Sequence, residues 1–137
     1  MKKYKVITPT DLKPLPSNEE MRAAIILAEL FHSDVEFIRR ANTAHTPDVK
    51  ILKLNIAIEI KTPDGNSRRH TIERQFVNAA KQGEYLVINS TEKTKLTDEF
   101  IENEILRQIA LERHIRYFKK VWLIKKTGEV VDFNKRK

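Results

Sequence analysis

The clearest pattern in the chain is a strict alternation of isoleucine with other residues just before position 61. In chain order the residues are Ile56, Ala57, Ile58, Glu59, Ile60 and Lys61. Because successive side chains of a β-strand point to opposite faces of a sheet, the three isoleucines share one face. The alternation therefore predicts a strand that buries this apolar face and carries Glu59 and Lys61 side by side on the other.

The remaining elements are predicted by the spacing of apolar residues. Helical spacing predicts helices over 18–31, 70–82 and 97–117. Ser17 or Asn18 is the expected N-cap of the first helix, and Gly83 is the expected C-cap of the second. Strands are expected over 34–38, 48–52, 54–61, 85–89, 121–124 and 130–133. The second and third of these strands are separated only by Lys53, which predicts a hairpin.

The order of the predicted elements, α-β-β-β-α-β-α-β-β, is typical of one α/β domain with a mixed β-sheet flanked by helices. A chain of 137 residues is long enough for one such domain. Residues 1–17 contain three prolines and are expected to form a lead-in or linker segment rather than a packed element. The domain itself is expected to span residues 18–137.

Charge and composition narrow the classes of function. Lysine and arginine number 26 against 19 acidic residues, and the net charge of +7 favours a polyanionic partner, either nucleic acid or an anionic membrane surface. The chain has no cysteine, which excludes disulfides, thiolate zinc sites and cysteine nucleophiles. No stretch approaches the length of a membrane span and no signal-peptide core follows the basic N-terminus. We therefore expect the chain to act in a cytoplasm or to travel as part of a larger protein.

Asp48, Glu59 and Lys61 are the candidate catalytic residues. Asp48 stands at the start of the strand before Glu59, so a hairpin lets both carboxylates bind one divalent cation, with the backbone carbonyl of Ile60 as a third ligand. Carboxylates are the ligands that Mg²⁺ or Mn²⁺ prefers. Such an ion polarises a phosphodiester and activates water, and a neighbouring lysine can orient or deprotonate that water. The alternative interpretation is an exposed cross-strand ion pair on a solvated face.

Several other residues are candidates for a supporting role. Glu20 in the first helix is an additional ligand or positions the water, unless it serves only to interact with the helix dipole in the first turn. Gln82 contacts a phosphate or the metal-bound water, unless it is a surface residue at the helix end. A basic cluster after the predicted strand is suited to gripping phosphates. Its members, with one further lysine, are Arg68, Arg69, His70, Arg74 and Lys81. His45 or His70 would instead serve a metal-free acid–base mechanism.

The acidic and basic residues also carry a resemblance to a known superfamily. Pro47-Asp48, followed by Glu59-Ile60-Lys61, resembles the motif of the PD-(D/E)XK, or restriction-endonuclease-like, nucleases. The predicted order of a helix, a hairpin that carries both halves of the motif and a following helix is also similar to that fold.

A closer resemblance covers residues 18–133. Its features in chain order are Glu20, Ala24, Leu27, Ala28, Thr46-Pro47-Asp48, Glu59-Ile60-Lys61-Thr62-Pro63, Gly65, Arg68, Arg69, Thr71-Ile72, residues 79–82, residues 86–89, residues 119–124 and residues 128–132. In these features the chain resembles the C-terminal tRNA-nuclease toxin domains of contact-dependent growth inhibition (CdiA-type) systems. It departs from them at residues 55–58, which replace a common Gly and Trp, and at Asn89, where Asp is common.

The resemblance implies a metal-dependent endoribonuclease that cleaves tRNA in the cytoplasm of a target bacterium and is neutralised by a cognate immunity protein. It also implies that the chain is the C-terminal part of a larger secreted or surface protein. The expected cofactor is Mg²⁺, with Mn²⁺ or Zn²⁺ as alternatives, and no small-molecule cofactor is expected. Two other functions stay open, a DNA endonuclease of the same fold and a non-catalytic, basic nucleic-acid-binding domain.

Overall fold

Seven strands and three helices make up the described part of the chain. The computed structural model describes residues 4–10, 15–38, 47–64, 71–79, 84–111 and 118–133. The elements in chain order are β1 (Val6–Ile7), α1 (Asn18–Phe31), β2 (Val35–Phe37), β3 (Val49–Ile51), β4 (Ile56–Lys61), α2 (Thr71–Ala79), β5 (Tyr85–Asn89), α3 (Asp98–Leu111), β6 (Lys120–Ile124) and β7 (Val130–Phe133).

The strands form one mixed sheet in which the order in space equals the order in the chain, from β1 to β7. Strands β2 to β4 pair antiparallel, β4 to β6 pair parallel, and β7 returns antiparallel to β6. The parallel pairs need crossovers, and these are α2 and α3. The prediction of a single α/β domain with a mixed sheet is confirmed.

The segment expected to be an unpacked lead-in contributes the first strand. Val6 pairs with Val35 and Ile7 with Glu36 in a parallel arrangement. The expectation that this segment carries no packed element is therefore wrong at β1. Two residues are too few to show a period in the sequence, and β1 is defined only by the β2 edge that it covers.

The helices begin where the sequence predicts them. Ser17 caps α1 with a full capping box, in which its hydroxyl accepts a hydrogen bond from the Glu20 amide and the Glu20 carboxylate accepts one from the Ser17 amide. The expected ends of the second and third helices, including Gln82, Gly83 and residues 112–117, lie outside the described residues.

The sheet is covered on both faces. One apolar core joins α1 to the face that carries Ile58 and Ile60, and the other joins α2 and α3 to the face that carries Leu86 and Ile88. Strand β4 is consequently buried on both sides over residues 58–60. The alternative interpretation of an exposed ion pair on a solvated face does not fit this part of the strand, since Glu59 is buried and α2 packs against β4.

Strands β3 and β4 form the predicted hairpin. Val49 pairs with Ile58 and Ile51 with Ile56, and residues 52–55 make the turn. Asn55 ends this turn in the left-handed region with a φ of 56°, which asparagine tolerates better than most residues. Just beyond the Val49–Ile58 pair, the Asp48 amide donates to the Ile58 carbonyl, which places Asp48 next to Glu59.

Candidate active site

Asp48 and Glu59 form a buried pair of carboxylates at the open end of the β3–β4 hairpin. The Asp48 amide donates to the Ile58 carbonyl at 3.1 Å, and the Ile60 amide donates to Asp48 Oδ2 at 2.8 Å. Only 6% of Asp48 and 2% of Glu59 is exposed. The backbone of β4 thus fixes both acids on the same face, as the hairpin predicts.

Lys61 completes the group two residues further along β4. Its Nζ lies 3.2 Å from Glu59 Oε2, and its side chain is 21% exposed while that of Glu59 is 3% exposed. The lysine therefore extends from the buried acids towards solvent. This geometry differs from the alternative interpretation of an exposed surface ion pair, because its acidic partner is inside the protein.

Electrostatics in this group oppose the ionised form of Glu59. Burial, followed by repulsion from Asp48, raises the pKa of Glu59 to about 8, although attraction to Lys61 acts in the opposite direction. Its Oε1 atom is buried and has no hydrogen-bond partner among the residues that the structure describes. An unpartnered carboxylate oxygen is costly in a protein interior, and a cation beside it removes that cost.

The donor set fits a small divalent cation of the magnesium type. Asp48 and Glu59 supply hard oxygen ligands, and the unpartnered Glu59 oxygen is available to bind such a cation. Within residues 4–10, 15–38, 47–64, 71–79, 84–111 and 118–133, no three His, Cys, Asp or Glu side chains are grouped to hold a metal. The remaining ligands would therefore be backbone oxygens, water and substrate phosphate, which is the usual situation for Mg²⁺.

The other predicted site residues are divided between described and undescribed parts of the chain. Glu20 caps α1, whose apolar side packs on the face opposite Glu59, and a role for it at the metal stays a prediction. Arg74 is exposed on α2, the helix that follows β4. The remaining predicted residues lie outside the described residues, and they are Gln82, Arg68, Arg69, His70, Lys81 and His45.

A buried polar clamp behind Lys61 was missed by the sequence analysis. Asn89 is fully buried at the end of β5, and its amide donates to Thr62 Oγ1 at 3.2 Å and to the Glu19 carbonyl at 3.0 Å. Its Oδ1 accepts from Arg22 Nη1 at 2.7 Å. Since Thr62 directly follows Lys61, the clamp ties the end of β4 to α1. The only sequence signal was a polar residue that ends an apolar strand.

Arg22 also connects the clamp to the turn between β6 and β7. Arg22 Nη2 donates to the carbonyls of Lys125 at 2.6 Å and Lys126 at 3.2 Å, at the start of the β6–β7 turn. Asp98, in the first turn of α3, accepts from the Lys126 amide and from the Ser90 hydroxyl. These bonds join α1, α3 and the C-terminal ends of β5 and β6 into one polar layer.

Comparison with known families identifies the chain. The family described as "Contact-dependent growth inhibition CdiA C-terminal domain" matches residues 45–130, which include Asp48, Glu59 and Lys61. The chain belongs to this family of toxin domains. Comparison with curated proteins gives no match.

A solved structure supports the fold of this CdiA C-terminal domain. A chain of the CdiA-CT/CdiI toxin and immunity complex from Burkholderia pseudomallei is similar, with a TM-score of 0.63 and 18% identity. The match covers 95% of the present chain and 98% of the other. At this identity the likeness describes the fold alone. No helix in the described parts of the domain combines the length and hydropathy needed to cross a membrane.

Proposed function

We propose that this CdiA-type domain is a metal-dependent endonuclease toxin with a restriction-endonuclease-like, PD-(D/E)XK arrangement. The observation that carries the proposal is the unpartnered oxygen of buried Glu59, which lies between Asp48 and the ammonium group of Lys61. A purely structural pair would satisfy its buried oxygens. A pair that binds a cation keeps an oxygen free for it.

In this proposal Asp48 and Glu59 hold Mg²⁺, with Mn²⁺ or Zn²⁺ as alternatives. When bound, the ion polarises the scissile phosphodiester and lowers the pKa of an attacking water. The backbone bond from Ile60 to Asp48 keeps the carboxylates in register. Lys61, whose side chain is 21% exposed, donates a hydrogen bond that orients the water and balances charge on the phosphate.

The proposed substrate is RNA, most specifically tRNA, and the proposed partner is a cognate immunity protein. The net charge of +7 supports a polyanionic substrate. Membership of the toxin-domain family, together with a similar chain from a toxin and immunity complex, supports the partner. The proposed place of action is the cytoplasm of a target bacterium, after delivery as the C-terminal part of a larger secreted protein.

The test is incubation of purified protein with total bacterial tRNA, read on a denaturing gel. Discrete fragments are expected with Mg²⁺, and none with EDTA or with Glu59→Gln, which keeps the size of the side chain and removes its charge. Glu99→Gln, an exposed acid in α3, is the matched control and should cleave normally. A plasmid substrate in parallel distinguishes a DNA endonuclease of the same fold. Intact tRNA and intact plasmid under every condition would refute the nuclease proposal and favour a non-catalytic binding domain.

A further inference from the structure

A groove opens on the sheet next to the carboxylate pair, at the N-terminal ends of β4, β5 and β6. Its volume is about 450 Å³, and its lining includes Pro47, Ile56, Ala57, Glu84, Tyr85 and Lys119. A space of this size is large enough for a nucleoside.

Strand register places the groove beside the candidate active site. Glu59 pairs with Leu86 in a parallel ladder, so Ala57 lies beside Glu84. The ladder between β5 and β6 likewise places Glu84 beside Lys119. Ala57 precedes Glu59 by two residues, and two residues along a strand are about 6–7 Å apart on the same face. Pro47, two residues before β3, directly precedes Asp48. The side of the groove that Ala57 and Pro47 line therefore lies about one nucleotide spacing from the carboxylates.

The charges that line the groove balance each other. Lys119 Nζ lies 3.4 Å from Glu84 Oε1, and the Lys119 amide donates to the Glu84 carbonyl at 2.7 Å. The remaining lining is mainly apolar or aromatic. A phosphate would therefore meet as much negative as positive charge, whereas a neutral group with polar edges fits both the apolar surface and the paired charges.

Tyr85, which the register places beside Ile58 on the α1 face of the sheet, gives the far side of the groove a fixed aromatic residue. Its ring is stacked on Trp122, with 6.3 Å between the ring centroids and an interplanar angle of 24°. Aromatic rings that the core holds in place lose little freedom when a flat ligand packs near them. Flat, neutral groups with polar edges are what a nucleic acid presents between its phosphates.

A second cavity differs from the groove because its basic side chains are already bound to oxygens of the protein. It has a volume of about 240 Å³, and its lining includes Glu19, Arg22, Glu92 and Lys126. Arg22 already donates to four protein oxygens, and Lys126 Nζ donates to Ser90 Oγ and to the Leu96 carbonyl. These groups hold the protein together.

We propose that the groove of Pro47, Ala57, Tyr85 and Lys119 binds a nucleoside of the substrate strand. This nucleoside is adjacent to the phosphodiester that is cleaved at Asp48 and Glu59. The proposal rests on the proposed nuclease function and adds to it a subsite for a base. It predicts that base contacts here set substrate affinity while the carboxylates and Lys61 set the chemical rate.

A steady-state experiment tests this division. Ala57→Leu fills part of the groove with three more carbon atoms, and Ala57→Ser is the matched control of nearly unchanged size. With tRNA and Mg²⁺, Ala57→Leu should raise KM about tenfold, the change expected for loss of a base contact of about 1.4 kcal/mol, and leave kcat within about twofold. Thermal denaturation of both variants verifies that they fold. A fall in kcat at unchanged KM, or no change in either constant, would overturn the subsite.

Photocrosslinking gives a readout that does not depend on cleavage. RNA carrying a photoreactive pyrimidine is irradiated with the Glu59→Gln protein, and crosslinked peptides are mapped. Crosslinks within residues 55–57 or 84–85 support the subsite, and crosslinks confined to other surfaces refute it. Crosslinks in the groove without cleavage by the wild-type protein would refute the nuclease proposal and leave the binding groove standing. Cleavage without these crosslinks, and with an unchanged KM for Ala57→Leu, would refute the nucleoside subsite and leave the nuclease proposal standing.

Discussion

At the scale of single residues, Glu59 defines the candidate site because the fold buries an acid and leaves one of its oxygens unpartnered. The hairpin brings Asp48 next to it, and Lys61 compensates part of the negative charge. An arrangement of this kind destabilises the protein unless another positive charge is bound. Function and stability are therefore coupled at this position.

The coupling predicts how stability depends on pH. The pKa of Glu59 is raised to about 8 in the folded protein, from an ordinary value of 4.5. Between these two values the folded chain keeps a proton that the unfolded chain has released, so the free energy of unfolding in EDTA should fall as pH rises through this interval. Urea denaturation at a series of pH values measures it.

The control for this pH dependence is Glu59→Gln, which has no proton to release. Its free energy of unfolding should fall less over the same interval, and adding Mg²⁺ near pH 8 should stabilise the wild type more than the variant. Parallel pH profiles for the two proteins would contradict the assignment.

Lys61 is predicted to act on the reaction rather than on folding. Lys61→Met keeps most of the length of the side chain and removes its charge, and we expect kcat for tRNA to fall by about 100-fold or more, as for loss of a general acid or base. Lys120→Met, at a position that the register places on the opposite face of the same sheet, is the control and should leave kcat nearly unchanged. Near-normal cleavage by Lys61→Met would remove it from the mechanism.

At the scale of elements, the ends of the strands are positioned by buried side chains from distant parts of the chain. The clamp formed by Arg22, Asn89 and Thr62 fixes the point at which β4 leaves the sheet, immediately after Lys61. The hairpin fixes the position of Asp48 beside β4, through the hydrogen bond from the Ile60 amide to the Asp48 carboxylate. Together these contacts restrict the candidate site from both sides.

The clamp gives a stability prediction. Asn89→Ala removes three hydrogen bonds and leaves one Arg22 donor without its acceptor, so the free energy of unfolding should fall by about 2 kcal/mol. Thr62→Val, which removes one of these bonds, should cost less than about 1 kcal/mol. Asn78→Ala, on the exposed side of α2, is the control in urea denaturation. Equal losses for Asn89→Ala and Asn78→Ala would show that the clamp contributes nothing.

At the scale of the whole molecule, excess positive charge should govern binding of the substrate. The affinity of Glu59→Gln for tRNA is predicted to fall steeply with salt, because phosphate contacts release counterions. Arg74→Gln should reduce the slope of log K against log salt by about 1. Arg107→Gln, whose arginine is paired with Glu104 on α3, is the control. An unchanged slope for Arg74→Gln would place the RNA away from α2.

The sequence predicted the elements that have strong periodicity, and it predicted the Asp48–Glu59 pair because a hairpin is a local structure. It did not predict β1, which is two residues long and depends on the edge of β2. It also did not predict the burial of Glu59, because α2, which packs against β4, comes from later in the chain. The role of Asn89 also depends on a contact that is distant in the sequence, since its partner Arg22 is 67 residues away.

The order of the strands has a further consequence for how the domain forms. Each strand lies beside the strand that precedes it in the chain, from β1 to β7. Pairing can therefore proceed one neighbour at a time from either end, without closing a loop around a distant segment, and such local connectivity favours fast folding. This topology allows the sheet to grow strand by strand, so that each new strand finds its partner already in place.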